Sequence, residues 1–299
     1  MAHTIRIVEV GPRDGLQNES TAISTEAKLS FIQRLLAAGL TEIEATSFVS
    51  PKWVPQLADN QELWAQLPPR GEFSALVPNQ RGLESALGAG VNRIAVFTAA
   101  SSAFTEKNIN MTVEQSLEAF GTVVSTFRQA RADGWVRGYV STAFECPYAG
   151  RIDPSQVVPV VERLLQIGVD EISLGDTIGV ASPIEVKALT KAILSVCPIQ
   201  QVNYHFHDTR GTALANVATA LDLGITSFDA SAGGLGGCPY AKGAGGNLAT
   251  EDLIYFLERE GVATGVDLGA LAEASLPILQ ALGRVPSSKA QQAILASRP

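Results

Sequence analysis

Asn203-Tyr204-His205-Phe206-His207-Asp208 reads as a short strand that ends in a turn, and it carries two of the chain's three histidines. Side chains alternate faces along a strand, so His205 and His207 point the same way with Cα atoms roughly 6.6 Å apart. Two imidazoles on one face at a strand end can grip a divalent ion, and they suit a packed, hydrogen-bonded sheet face equally well. The strand, Gln201–Phe206, is followed by a helical pattern over Gly211–Leu223. That strand-then-helix unit is the period of the whole chain.

Working outward, strand-like runs fall at Thr4–Val10, Glu42–Thr46, Glu72–Val77, Arg93–Phe97, Val136–Ala143, Glu171–Leu174 and Ser227–Ser231. Helical patterns between them cover Thr25–Ala38, Gln80–Gly88, Val113–Ala132, Pro154–Ile167, Pro183–Val196 and Thr250–Arg259, while Ser47–Pro55 and Ser101–Asn110 read as loops. Thr112 and Gln115 fit a capping box, and Asp153 before Pro154 fits an N-cap followed by a first-turn proline. Alternating strands and helices imply parallel pairing with right-handed crossovers, and eight units favour a closed (β/α)8 TIM barrel over an open sheet. The expected layout is a barrel over residues 1–262, with a C-terminal helical extension over 263–299 (helices near Asp267–Leu282 and Lys289–Ala296) packed on it as one domain.

The composition suits such a barrel. Of 299 residues, 46% are hydrophobic and 17% charged, enough apolar material for a large core and too little charge for disorder. A net charge of −8 argues against a nucleic-acid partner, which needs a basic face, while a few local arginines still allow an anionic small molecule. No apolar run reaches the roughly 18–20 residues of a membrane span. Cys146, Cys197 and Cys238 form no disulfide framework, and nothing at the N-terminus reads as a targeting segment, so a cytoplasmic location is expected.

Barrel enzymes place their chemistry where strands end. The unusual polar residues cluster at those points: Arg13-Asp14 after strand one, Glu44 at the end of strand two, Asp176 after strand six, His205 and His207 on strand seven, and Cys238 and Asn247 in a glycine-rich stretch after strand eight. Arg13-Asp14 alone fits a loop ion pair, and Glu44 alone fits a barrel-layer salt bridge. Asp14, His205, His207 and Asn247 together offer two nitrogen and two oxygen ligands, which suits Mg²⁺ or Mn²⁺ better than a closed cysteine-type zinc site. Two histidines and a carboxylate also match the iron facial triad, so ligand type alone leaves iron open. Cys238 reads either as a buried filler or as a thiol proton donor beside a metal.

Longer motifs surround these residues. They include Val8-Glu9-Val10-Gly11-Pro12-Arg13-Asp14-Gly15-Leu16-Gln17-Asn18-Glu19, Thr46 through Gln56, Lys107-Asn108-Ile109-Asn110, Ser173 through Gly179, His205 through Thr209, and Gly234-Leu235-Gly236-Gly237-Cys238-Pro239-Tyr240. With them the chain resembles the 3-hydroxy-3-methylglutaryl-CoA lyases over nearly the whole barrel. The resemblance implies cleavage of that thioester into acetyl-CoA and acetoacetate, with Asp14, His205, His207 and Asn247 holding Mg²⁺ or Mn²⁺. It implies Arg13 on the thioester oxygen, Cys238 or His205 delivering a proton, Glu44 and Asp176 supporting the site, and Arg13, Gln17 and Asn108 meeting the acyl-CoA substrate. A homodimer is an accompanying expectation.

Three alternatives are open at the level of sequence. A Claisen-type synthase, isopropylmalate or homocitrate synthase-like, shares the Arg-Asp-Gly and His-x-His parts but lacks the Gly-Gly-Cys-Pro-Tyr segment. A non-catalytic metal- or CoA-binding barrel leaves the complete polar set unexplained. A sister lyase for another 3-hydroxy-3-alkyl acyl-CoA fits Arg210, which stands where animal members carry Tyr, and the partial match at Ser141–Gly150.

Overall fold

The computed structural model describes residues 5–237 and 246–297. Its strands are β1 (Arg6–Glu9), β2 (Glu42–Ser47), β3 (Glu72–Leu76), β4 (Arg93–Ala99), β5 (Trp135–Ser141), β6 (Glu145–Cys146), β7 (Gly150–Arg151), β8 (Glu171–Asp176), β9 (Val202–Phe206) and β10 (Ser227–Ala230). Its helices are α1 (Thr25–Ala37), α2 (Asn60–Ala65), α3 (Gln80–Gly88), α4 (Ser102–Ile109), α5 (Val113–Ala130), α6 (Pro154–Ile167), α7 (Pro183–Ile193), α8 (Ala213–Asp222), α9 (Thr250–Arg259), α10 (Leu268–Ala274), α11 (Leu276–Ala281) and α12 (Lys289–Ala296). Eight strands close a parallel barrel in the order β1-β10-β9-β8-β5-β4-β3-β2, the architecture expected from the strand–helix period. β6 and β7 form a small antiparallel hairpin on the loop after β5.

Local signals account for the helix ends. Thr112 and Gln115 exchange capping-box bonds at the start of α5, and Asp153 with Gln156 does the same at α6, where Pro154 needs no amide donor. Gly168 closes α6 in the left-handed conformation that glycine adopts without a Cβ penalty. The stretch Ser101–Asn110, expected as a loop, contains α4, and α2 lies just past the expected loop Ser47–Pro55, where the periodicity marked no element. Both are short, and what holds α4, which is only weakly amphipathic, is tertiary: Phe104 and Thr105 are buried beneath it. Beyond the barrel, Ser275 interrupts the helix expected over 267–282, and Pro277 starts α11 in its first turn. Asp267 N–H donates to Ala38 O (2.7 Å), while Gln291 reaches Ala272 O (2.7 Å) and Ser275 Oγ (2.8 Å), tying these helices to α1 and to each other. Among the described residues no helix is long and apolar enough to cross a membrane.

Between strands and helices lies an apolar shell with Ile43, Val96, Leu164 and Phe228 in it. The barrel interior is different. At its amino end Arg6 pairs with Glu42 and Glu171, and Arg93 stacks 4.2 Å above Trp135. In the middle Arg137 lies between Glu171 and Asp229. Arg137, Glu171 and Asp229 are buried, and each needs its partner, since a lone ion there costs several kcal/mol in lost hydration. The charge ladder leads upward to the carboxyl end.

Candidate active site at the carboxyl end of the barrel

The chain leaves β1 through a wide turn, Gly11–Gly15, in which the N–H groups of Arg13, Asp14 and Gly15 all converge on Val10 O (3.2, 2.7 and 3.1 Å). Single π turns of this kind re-aim side chains. Here the turn places Arg13 and Asp14 over the barrel mouth. Arg13 donates from Nε to Glu44 on β2 and from Nη1 to Asp14 Oδ1 (2.6 Å), and its guanidinium sits 5.6 Å from the Tyr139 ring centre. Tyr139 O–H donates to the other Glu44 oxygen (3.0 Å) and accepts from Arg137 (3.2 Å). The cation is thus held flat and in one orientation.

His205 lies opposite Asp229 in register, and its Nδ1 is 3.1 Å from Asp229 Oδ2. An ionised carboxylate only accepts, so Nδ1 carries the proton and Nε2 presents a lone pair. That lone pair faces His207 Nε2 at 3.1 Å and Asp14 Oδ2 at 3.9 Å. Asn247 reaches the same place by backbone pairing. Leu248 N–H bonds Phe206 O (3.0 Å) and Asp208 N–H bonds Gly246 O (2.9 Å), which sets Asn247 beside His207. Asn247 Nδ2 donates to Asp14 Oδ2 (2.9 Å) and Leu235 O (3.1 Å). Gly236, at φ 115°, makes room for it, since a Cβ there would come within 2.6 Å of that amide nitrogen.

The ligand atoms of Asp14, His205 and His207 lie within 4.8 Å of one another. Asn247 Oδ1 is buried with no hydrogen bond of acceptable geometry among the described residues, close enough to His207 for its dipole to be felt. Two facing imidazole nitrogens, a carboxylate and an unsatisfied amide oxygen are the donor set of a divalent cation, so these residues fit one. Their electrostatics divide the two histidines: burial lowers His205, but its hydrogen bond to Asp229 and the charges of Asp14 and Asp229 raise it on balance. Burial followed by the neighbouring His205 lowers His207 to about 4. Burial opposes charge on Asp14, yet Arg13 and the two histidines outweigh it and hold the carboxyl below the usual range. Asp229 is likewise buried, and Arg137 and His205 hold it down to about 2.

Of the residues singled out from sequence, Arg13, Asp14, Glu44, His205, His207 and Asn247 form one cluster. Asp176 does not bond into it. Strand alternation turns it the other way from Glu171 and Ser173, and its oxygens accept the N–H groups of Val180 and Ala181 (3.0 Å each), fixing the loop after β8. Burial raises it to about 6. Gln17 is half-buried just past the π turn, and Asn108 is exposed on α4, both outside the buried cluster. Cys238 lies outside the described residues. The sequence reading did not single out Asp229, Tyr139 or Arg137. Their signal was alternation, with Arg137 and Tyr139 on one face of β5, and Asp229 at the position of β10 that meets His205.

A closed parallel barrel with a buried nitrogen–oxygen cradle and an oriented arginine at its carboxyl rim defines a barrel protein with a candidate divalent-cation site. The HMGL-like family model matches residues 4–278, and the chain belongs to that family. It is 50% identical over 291 residues to a Pongo abelii protein named hydroxymethylglutaryl-CoA lyase, mitochondrial, covering 97% of this chain and 89% of that one. A Pseudomonas aeruginosa protein named 3-hydroxy-3-isohexenylglutaryl-CoA/hydroxy-methylglutaryl-CoA lyase is 49% identical over 294 residues, covering 98% and 97%. A solved HMG-CoA lyase of Acinetobacter baumannii, in complex with coenzyme A and 3-methylmalate, superposes with a TM-score of 0.91 at 38% identity over 97% of this chain and 94% of that one.

Proposed function

We propose that the protein is a carbon–carbon lyase that cleaves 3-hydroxy-3-methylglutaryl-CoA into acetyl-CoA and acetoacetate. The observation that carries this is the packing of Arg13 against Asp14, with Glu44 as its counter-ion, inside the same cluster as His205, His207 and Asn247. In the reaction the tertiary hydroxyl loses its proton, the C2–C3 electron pair moves toward the thioester carbonyl, and C3 becomes the ketone of acetoacetate. The C2 carbanion then takes a proton to give acetyl-CoA.

Asp14, His205, His207 and Asn247 would hold the divalent ion, Mg²⁺ or Mn²⁺. When bound, it supplies Lewis-acid polarisation and a template for the substrate's hydroxyl and carboxylate oxygens. Arg13 stabilises the enolate oxygen. Glu44 and Asp14 occupy Nε and Nη1, which leaves Nη2 for that oxygen with the guanidinium already oriented. Burial opposes the charge on Arg13, but Glu44 and Asp14 more than restore it, so the cation persists at any working pH. Cys238 is assigned as the proton donor to C2, with His205 as the substitute. Asp176 supports the site by holding the loop after β8, while Gln17 and Asn108 are assigned to the acyl-CoA at the rim. We read residues 263–299 as one unit with the barrel, the assembly as a homodimer and the compartment as cytoplasm, for light scattering and cell fractionation to check.

Incubation with 3-hydroxy-3-methylglutaryl-CoA and Mg²⁺ is expected to yield acetoacetate and acetyl-CoA, and EDTA to stop it. No product from that thioester overturns the reading. A second reading, a longer 3-alkyl group, is favoured by the isohexenylglutaryl specificity named for the Pseudomonas relative and by Arg210. Arg210 Nη1 bonds Ile178 O (2.7 Å) and Gly179 O (3.1 Å) on the rim loop after β8. Faster turnover of an isohexenyl analogue than of the methyl compound selects that reading.

A further inference from the structure

Glu9, the last residue of β1, is fully buried and faces away from the barrel interior occupied by Arg6. A buried carboxylate is normally met by a cation. Glu9 is met by neutral donors on three separate segments instead. Its Oε1 accepts Gly11 N–H (2.8 Å), at the start of the π turn, and Ala232 N–H (3.0 Å), just after β10. Its Oε2 accepts the Thr250 hydroxyl (2.6 Å), in the first turn of α9.

These three anchors frame the ion cradle. Gly11 leads the turn that carries Arg13 and Asp14. Thr250 follows Asn247 on the segment that pairs with the end of β9, through Leu248 N–H to Phe206 O (3.0 Å), and with Ser231 just past β10, through Ser231 N–H to Leu248 O (2.9 Å) and Thr250 N–H to Ser231 O (3.2 Å). The two oxygen donors of the cradle therefore come from chain segments 233 positions apart, joined at the front by Asn247 Nδ2 to Asp14 Oδ2 (2.9 Å). Glu9 joins the same segments from behind. Glu251 repeats the device one step along, accepting Gly233 N–H (2.8 and 2.9 Å) on both oxygens.

We propose that Glu9 is a positioning residue for the cation site, setting the separation of Asp14 from Asn247 by clamping the π turn to the start of α9. The inference rests on the reading of Asp14 and Asn247 as cation ligands. A strand-end carboxylate is the group of choice because its two oxygens accept from three directions at once, whereas an amide has one accepting end.

Mn²⁺ binding to the full-length protein, followed by electron paramagnetic resonance below the melting temperature, tests it without reference to turnover. Glu9→Ala is expected to weaken Mn²⁺ binding at least about tenfold, the scale on which groups behind metal ligands act. Glu9→Gln keeps an oxygen for both N–H groups, with the Thr250 hydroxyl reversed to accept from the new amide, and is expected to stay near the parent affinity. Thr250→Val removes only the Oε2 contact and is expected to weaken binding by a smaller factor, which decides the matter if Glu9→Ala does not fold. Folded Glu9→Ala or Thr250→Val protein that binds Mn²⁺ as tightly as the parent overturns the inference, whatever the melting temperature does. A parent protein that binds no Mn²⁺ overturns the cation-site reading instead.

Discussion

Asp229→Asn tests the wiring of the site most directly, because the substitution alters a proton rather than a shape. The parent carboxylate accepts from Arg137 Nη1 (2.7 Å) and Asn203 Nδ2 (2.9 Å) on Oδ1, and from Ser173 Oγ (3.1 Å) and His205 Nδ1 (3.1 Å) on Oδ2. An asparagine amide must put its NH₂ on one side. On the Oδ1 side it would meet an arginine, which never deprotonates, and Asn203, whose own oxygen already accepts from Ser227 (2.8 Å). The NH₂ therefore goes to the Oδ2 side. The Ser173 hydroxyl can rotate to accept there, but His205 can accept only by moving its proton from Nδ1 to Nε2. Nε2 is the nitrogen that faces His207 and Asp14, so the histidine loses its lone pair toward the cradle. Disturbing the group behind a ligating histidine costs about 10–100-fold in metal affinity, or about 1.4–2.7 kcal/mol. Stability is expected to fall by about 3 kcal/mol, the lower end for breaking a buried pair, because Glu171 still holds Arg137. Mn²⁺ titration with the variant folded reads the first effect and denaturant unfolding the second. A folded Asp229→Asn protein with parental Mn²⁺ affinity would show that Asp229 does not set the tautomer.

Other substitutions separate binding from chemistry. Arg13→Lys keeps the charge but loses the planar fork shared between Glu44 and Asp14, so turnover should fall about 10²–10³-fold, as for loss of an oxyanion donor; steady-state kinetics with Mn²⁺ binding as control reads it, and a small change sinks the assignment. Cys238→Ser should lower turnover about 10²–10⁴-fold, the range for a general acid, with Mn²⁺ affinity retained, whereas unchanged turnover removes Cys238 from the mechanism. Burial raises Glu9 to about 7 and Glu251 to about 8. Folded protein thus holds protons that the unfolded chain releases above the ordinary value of 4.5. Stability contributed by these groups should decline as pH rises from there to about 8. Glu251→Gln removes its share of that slope, so its melting temperature should gain on the parent between pH 5 and pH 9, and a parallel pair of curves contradicts the burial argument.

Much of this molecule could be read without coordinates. Strand and helix periods, the caps at Thr112 and Asp153, and glycine helix stops such as Gly168 are local devices, set by residues within a few positions of one another. The alternation that puts His205 and His207 on one face is equally local. Even Arg13-Asp14 and Asn247 were marked by motif. Other features depend on which distant segments come to lie side by side. Helix α4 exists because Phe104 finds a buried place, not because its own residues favour a helix. Asp176 sits at a strand end like its neighbours in sequence, but the pleat turns it toward the loop amides of Val180 and Ala181. Asp229 looked like one polar residue in a strand until barrel closure set it behind His205, and Glu9 looked like part of a motif until it met Ala232 and Thr250. Sequence determined most of the elements and marked the candidate ligands, because backbone periodicity and side-chain chemistry act at short range. Tertiary structure alone decided which carboxylate orients which histidine, because burial and hydrogen-bond partnership exist only once the barrel has closed.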